Sequence, residues 1–313
     1  MRKKIVVIGG GTGVFTVLSG LKNYDVDLTA VVNMADDGGS TGILREEFGI
    51  LPPGDLRRAL VALSRTDNKM LSDLFNFRFQ NGSGLTGHNF GNLMITALER
   101  ITGDFGRAIH EASKILQVEG KVIPVTLANA RLYAELDDGK IIKGETNIDI
   151  PNHDGRLKIK RVWLEPAAKL NPRAAKAIEA ADGIVVGPGD LFTSIMPNLL
   201  IGGMRRALKN SKAKKIYVVN LMTKFGETNG FAAHDFIGVV AGELGNGVLD
   251  YAIVNNRRPS LAQVKKYAEE KSMLVDAREL PAKPTPITGD FLRTRNLVRH
   301  DPDKLAKAIL SLV

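Results

Sequence analysis

At 313 residues, with 44% hydrophobic and 25% charged residues, the chain has the composition of a globular protein of one or two domains, not of a disordered or collagen-like one. It has no cysteine, which removes disulfide scaffolds, zinc ribbons, iron–sulfur clusters and thiol nucleophiles and fits an intracellular protein. The net charge of +9 is uneven: residues 1–150 hold 17 basic and 18 acidic side chains, residues 151–313 hold 26 and 16.

The N-terminal MRKKIVVIGGGTG opens on basic residues, but its apolar run stops at Ile8, too short for a signal-peptide core, and reads as a buried first strand. No stretch approaches the ~18 uninterrupted apolar residues of a membrane span. A helical pattern through Val14, Val17, Leu18 and Leu21, then a second apolar run at Leu28–Val32, completes a strand–helix–strand unit. Asn33 to Pro53 reads as a long loop-rich stretch, followed by helices near Asp55–Ser64, Met70–Arg78, Asn89–Ile101 and Phe105–Leu116. These make a helical insertion over about 43–118. Residues 121–164 alternate polar and apolar, with Asp138-Gly139 as the turn between Leu132–Leu136 and Lys140–Glu145, and predict a small antiparallel accessory sheet.

Helices and strands then alternate: helix Pro172–Ala181, strand Gly183–Val186, helix Leu199–Leu208, strand Lys215–Leu221, helix Phe231–Leu244, strand Tyr251–Val254 and helix Leu261–Glu270. Pro281–Pro286 reads as an extended connection and Pro302–Leu312 as a final amphipathic helix. The expected fold class is α/β: a Rossmann-like, doubly wound, mainly parallel sheet with the helical insertion and the accessory sheet, in a single domain over 1–313.

In such a sheet ligands collect beyond the carboxyl ends of the strands, so the loops there carry the candidate chemistry. Gly10, Gly11, Thr12 and Gly13 join a strand to a helix, where bare backbone can approach a phosphate at the helix N-terminus; a tight packing turn without ligand is the plainer reading. The dinucleotide fingerprint is incomplete, with Val14 where the third glycine would fall and Asn33 in place of a ribose-binding carboxylate. After the second strand, Asp36 and Asp37 precede a flexible, hydroxyl-bearing run with Ser40 and Thr41; such carboxylates hold Mg²⁺, accept from sugar hydroxyls or cap a helix. His88, Asn89 and Asn92 lie at the first turn of a helix, where amides meet anions and His88 is a possible proton donor or a packing residue.

Gly187, Pro188, Gly189, Asp190 and Thr193 form a second glycine turn after a strand, and Asn220, Lys224 and Asn255 end the next strands. Arg299, beside His300, is placed either to fold back over a pocket or to lie on the surface. No G-x-S-x-G, H-E-x-x-H or kinase set occurs, and five histidines without cysteine predict no metal centre. With 6% aromatic residues and no helix-turn-helix or RNA-binding signature, the basic half suits an anionic metabolite rather than nucleic acid.

The series GGGTG (9–13), NMADDGGSTG (33–42), PPGDLRRALVALS (52–64), TGHNFGNLMITAL (86–98), GPGDLFTSIMPNLL (187–200) and NLMTKFGETNGFAAHD (220–235) closely resembles the gluconeogenesis factor (YvcK-type) family. That family is grouped with 2-phospho-L-lactate transferase in the CofD-like superfamily. The resemblance implies a cytoplasmic protein that binds a UDP-sugar, UDP-N-acetylglucosamine or UDP-glucose, needs no cofactor, and has no established catalytic activity. It further implies a part in cell shape and growth on gluconeogenic carbon, through a cytoplasmic enzyme or regulator of cell-wall precursor supply, and is compatible with a homodimer. The transferase branch instead uses Mg²⁺ to move a phospholactyl-like group from a nucleotide-activated donor. Asp36 and Asp37 match the acidic pair of both branches, and the continuation ADDGGSTG resembles the regulators.

Overall fold

The computed structural model describes residues 2–65, 69–294 and 297–313. The apolar runs become strands wherever β-branched residues can be buried on both faces of a sheet. In chain order the first half comprises β1 (Lys3–Gly9), α1 (Gly11–Leu21), β2 (Val26–Val32), α2 (Gly39–Phe48), α3 (Gly54–Leu63), α4 (Lys69–Asn76), α5 (Phe90–Thr102), α6 (Phe105–Ile115), β3 (Lys121–Pro124), β4 (Arg131–Leu136), β5 (Ile141–Lys143) and α7 (Glu145–Asp149). The second half comprises β6 (Ile159–Glu165), α8 (Pro172–Glu179), β7 (Gly183–Val186), α9 (Met196–Leu199), α10 (Met204–Asn210), β8 (Lys214–Val218), α11 (Ala233–Leu244), β9 (Tyr251–Asn255), α12 (Leu261–Ala268), β10 (Thr285–Gly289) and α13 (Pro302–Leu312).

Seven strands form one parallel sheet in the order β10-β9-β8-β7-β1-β2-β3. From β1 the chain winds outward through β2 and β3, then returns to β7 and winds the other way, so the order reverses between β1 and β7. That crevice is where such sheets bind ligands. Helices α1, α3 and α13 pack as one layer and α8 to α11 as another, and the strand residues between them, such as Ile5, Val7, Ile184 and Ile216, are fully buried. The antiparallel accessory sheet has the order β5-β4-β6. The α/β class and the parallel sheet with an accessory sheet are as the sequence predicts.

Four local expectations are corrected. The Asn33–Pro53 loop contains helix α2, ended by Gly49 in the left-handed conformation (φ 67°). Its weak apolar pattern hides it, because Arg45 is buried there in place of an apolar residue. Residues 121–124 pair with β2 in the main sheet rather than joining the accessory one. The helix expected at Leu199–Leu208 is split at Gly202-Gly203 and preceded by a wide helical turn at Leu191–Ile195. The Pro281–Pro286 connection runs into the edge strand β10.

Arg45 fixes the loop that follows β2. Its guanidinium donates to the Asn129 side chain (2.8 and 2.6 Å) and to the carbonyls of Ala35, Asp36 and Ala130, so one buried cation ties α2 to two loops. Removing it leaves those buried acceptors unpaired. Arg45→Met is expected to lower stability by about 3 kcal/mol in urea unfolding; an unchanged midpoint would show that the loop holds itself.

Candidate functional site

The turns that follow β1 and β7 touch through their backbones. A Cβ at Gly13 would overlap the Pro188 carbonyl oxygen, and one at Gly189 would lie 3.7 Å from the Gly10 carbonyl oxygen. Helix α1 starts at this contact with Gly10 as its N-cap and no side-chain cap from it; the Gly11 amide goes to Asp55, which leaves the first-turn amides beyond it. A cleft of about 630 Å³ opens over them. The start of α2 walls it with Ser40 and Thr41, and the insertion with Asp55, Arg57, Arg58 and Arg78; α7 adds Glu145 and Asp149; the segment after β8 adds Asn220 and Lys224. At the far end stand Tyr267, Glu270, Arg299 and His300.

The charges in this cleft are balanced by contact. Asp55 lies beneath Gly10, receives the Gly11 amide and has Arg58 Nη1 at 3.7 Å. Burial, with Asp36 adding its charge, pushes Asp55 up to about 6. Burial likewise raises Asp36, against hydrogen bonds from the Gly38 amide (3.0 Å) and the Thr41 hydroxyl. Burial and the charges of Asp36 and Asp149 push Glu145 up to about 10, so it carries its proton at neutral pH. Burial works against the Lys224 ammonium, but Asp190 at 3.5 Å and Asp149 at 2.7 Å hold it above the usual lysine value.

Among the described residues, one group of three carboxylates is tight enough to ligate a metal ion: Asp149, Asp190 and Glu227. Lys224 already neutralises two of them, and Glu227 accepts from the Phe192 amide and the Thr193 hydroxyl, both at 3.0 Å. The group therefore has its own cation. Asp36 and Asp55 also face the cleft, with the Arg58 charge acting on both, and hard carboxylate oxygens in such a pair suit a hard divalent cation.

Of the expected positions, the first glycine turn (Gly10, Gly11, Thr12, Gly13) and the second (Pro188, Gly189, Asp190) line the cleft together. So do Asp36, Ser40, Thr41 and Asn92 at the insertion end and Asn220, Lys224 and Arg299 opposite. The others lie outside it in structural contacts. Asn33 is buried, donating to the Thr193 carbonyl (3.2 Å) and accepting from the Ala35 amide. Asp37 turns away from Asp36 and caps α7, accepting from the Glu145 and Thr146 amides at 3.2 and 2.8 Å. His88 sits 3.3 Å from the Ser40 hydroxyl, Asn89 caps α5, and Gly187 makes the turn behind Pro188 with φ 79°. Asn255 is bonded to the backbone of Arg257 and Phe291.

Asp55, Arg57, Arg58, Glu145, Asp149 and Tyr267 were missed by sequence reasoning. Asp55 and Arg57 are charged residues buried in the first turn of an otherwise apolar helix, a signal that becomes visible only once α3 is known to point at the glycine turn. Three buried polar atoms without partners, Thr146 Oγ1, Asn220 Oδ1 and His300 Nε2, belong to residues that line the cleft. Orphaned groups of this kind mark a place where something else supplies the hydrogen bond.

The family described as 2-phospho-L-lactate transferase CofD matches residues 5–287. The chain belongs to the CofD family. Within it, a relative from Halalkalibacterium halodurans named gluconeogenesis factor is 44% identical over 99% of this chain and 96% of its own length. The gluconeogenesis factor of Bacillus subtilis is 41% identical over 100% and 98%. A crystal structure of a Bacillus halodurans member of the UPF0052 family superposes with a TM-score of 0.92 at 42% identity, covering 99% of this chain and 100% of that one. The superposed crystal structure shares the fold over the whole chain, and the family match runs from β1 into β10.

The raised carboxylates set a pH dependence. Asp55 titrates near 4 when unfolded and near 6 when folded, so the native state keeps a proton that the unfolded chain has lost. The stability this contributes is complete below pH ~4 and is lost as pH rises through ~6. Asp55→Asn is therefore expected to shrink the fall in melting temperature between pH 4.5 and 7; a slope parallel to wild type would show that Asp55 is not the group responsible.

Proposed function

We propose that this CofD-family chain is a UDP-sugar-binding regulatory protein, with UDP-N-acetylglucosamine or UDP-glucose as its ligand. The contact between the two glycine turns carries the reading, because it brings the α1 first-turn amides beyond Gly11 and bare backbone at Gly189 to one cleft. The diphosphate would rest there, with Arg58 and Lys224 supplying positive charge. Tyr267, Asn220 and Arg299 would receive the uridine, and Ser40 and Asp36 the sugar hydroxyls. The buried Asn33 argues against NAD, since no carboxylate ends β2 to clamp a ribose.

The relatives' name supports a function in growth on gluconeogenic carbon, and the resemblance to that family extends the proposal to cell morphogenesis, cell-wall precursor supply and a cytoplasmic partner enzyme. Among the described residues no helix is long and apolar enough to cross a membrane. A route for signalling is at hand in α7. Its N-terminus is held by Asp37, its Asp149 by Lys224, and it follows β5 of the accessory sheet directly. A ligand that draws Lys224 away would release α7 and shift the sheet between two arrangements, provided it binds the two with different affinity.

Two observations favour a second reading, a Mg²⁺-dependent transferase acting on a nucleotide-activated phospholactate-like donor: the family's own description and the Asp36–Asp55 pair in the cleft. Those two carboxylates would hold the ion, which would neutralise diphosphate charge. Calorimetric titration separates the readings. UDP-N-acetylglucosamine is expected to bind without Mg²⁺, NAD not to compete, and Gly13→Ala and Arg299→Ala to weaken UDP binding at least tenfold. Preference for NAD, or turnover of a phospholactyl nucleotide that needs Mg²⁺ and is lost in Asp55→Asn, would replace the regulator reading.

A further inference from the structure

The cleft contains a second cluster of donors that a diphosphate at α1 leaves unused. Helix α2, ten residues long, begins at Gly39 with Gly38 as N-cap and no side-chain cap, and Gly38, Gly39, Ser40 and Thr41 all line the cleft. Arg57 stands beside this turn. It is only 6% exposed; its Nε donates to Asn92 Oδ1 (3.1 Å), and its Nη1 to the Phe75 carbonyl (3.2 Å) and Asn76 Oδ1 (2.6 Å). Among the described residues its Nη2 has no hydrogen-bond partner beside those of Nε and Nη1, and the residue lines the cleft.

Asn92 ties the parts together. Its amide donates to the Ser40 and Thr41 hydroxyls at 3.4 and 3.5 Å, so Arg57, Asn92 and the first turn of α2 are one connected unit. Arg78 adds a second guanidinium from the segment after α4, positioned by its donation to the Gly87 carbonyl (2.6 Å) and by backbone pairing with Asn89, whose amide donates to Ser40. Burial first, then the charges of Arg58 and Arg78, hold the Arg57 guanidinium below its usual value, against the opposing charges of Asp55 and Asp36. Asp36 and Asp55 lie between this cluster and the α1 turn, and burial leaves both reluctant to ionise.

We propose that the uncapped start of α2, with Arg57, Arg78 and Asn92, is a second anion subsite of this cleft, built for a carboxylate or phosphate group distinct from the diphosphate. A buried guanidinium that lines the cleft, beside the Gly39 and Ser40 amides that start α2, matches the geometry of an oxyanion. The group arrives either on the far end of the nucleotide ligand or as a separate small anion. The first source rests on the cleft being a nucleotide site; the second does not.

The test uses the full chain and Arg78→Gln, chosen because Arg78 is exposed and its loss leaves the core intact. In the first arm, UDP-glucuronate and UDP-glucose are titrated by calorimetry; the acid is expected to bind about tenfold tighter, with the ratio falling toward one in Arg78→Gln. In the second, inorganic phosphate is added to protein without nucleotide, and its rise in melting temperature is expected to shrink in the variant. Acid preference in the first arm assigns the group to the nucleotide, and phosphate stabilisation alone assigns it to a separate anion. Absence of both, or effects equal in wild type and Arg78→Gln, overturns the subsite. If neither UDP-sugar binds while phosphate still stabilises the wild type more, the nucleotide reading fails and the subsite stands.

Discussion

Everything in the cleft depends on how closely two stretches of backbone approach at the centre of the sheet. β1 and β7 are neighbours, in register from Ile5–Gly183 to Ile8–Val186, so the turns after them emerge side by side. Only a residue without a side chain fits at position 13, where the Pro188 carbonyl occupies the space a Cβ would take. The N-terminus of α1 is thereby held at the crevice where the winding of the sheet reverses. The same closeness recurs where α1 meets α13, at Gly20 against the Pro302 carbonyl, so the helix is fixed along its length and its N-terminus cannot drift.

Around that fixed point the insertion supplies charge. Helix α3 brings Asp55 under Gly10 and Arg58 beside Gly11, while Arg45 inside α2 anchors the loop bearing Asp36. The accessory sheet supplies α7, whose Glu145 and Asp149 complete the acidic wall. The cleft is thus assembled from three parts of the chain, each carrying ionisable groups that burial would disfavour if they were alone. They persist because each has a partner: Lys224 for Asp149 and Asp190, backbone amides for Asp36 and Asp37, and Asn92 for Arg57. Such a polar cluster is held in one arrangement by its neighbours, and replacing one charge, whether by ligand or by mutation, unbalances the others.

This arrangement also explains why adjacent acids have different tasks. Asp36 and Asp37 follow each other in sequence, yet one faces the cleft and the other caps α7, because successive side chains of an extended segment point to opposite sides. The acid that joins Asp36 comes instead from α3, more than a dozen residues on.

The parallel sheet, its helices and both glycine turns were legible in the sequence, because apolar periodicity and glycine placement are local signals that a strand–helix repeat reinforces. The split at Gly202-Gly203 and the helix over Gly39–Phe48 were not, since the first depends on a positive φ and the second on a buried arginine whose partners lie some 85 residues away. Of the candidate residues, those on the turns could be named from the chain alone. Asp55, Arg57 and Glu145 could not, and the distinction between Asp36 and Asp37 was equally hidden, because burial and electrostatic partners depend on contacts between distant segments. The amino-acid order by itself therefore determined the winding of the sheet and the bare backbone at its switch point. Only the tertiary structure decided which charges face the cleft, for a side chain's direction and its proton are set by what packs against it.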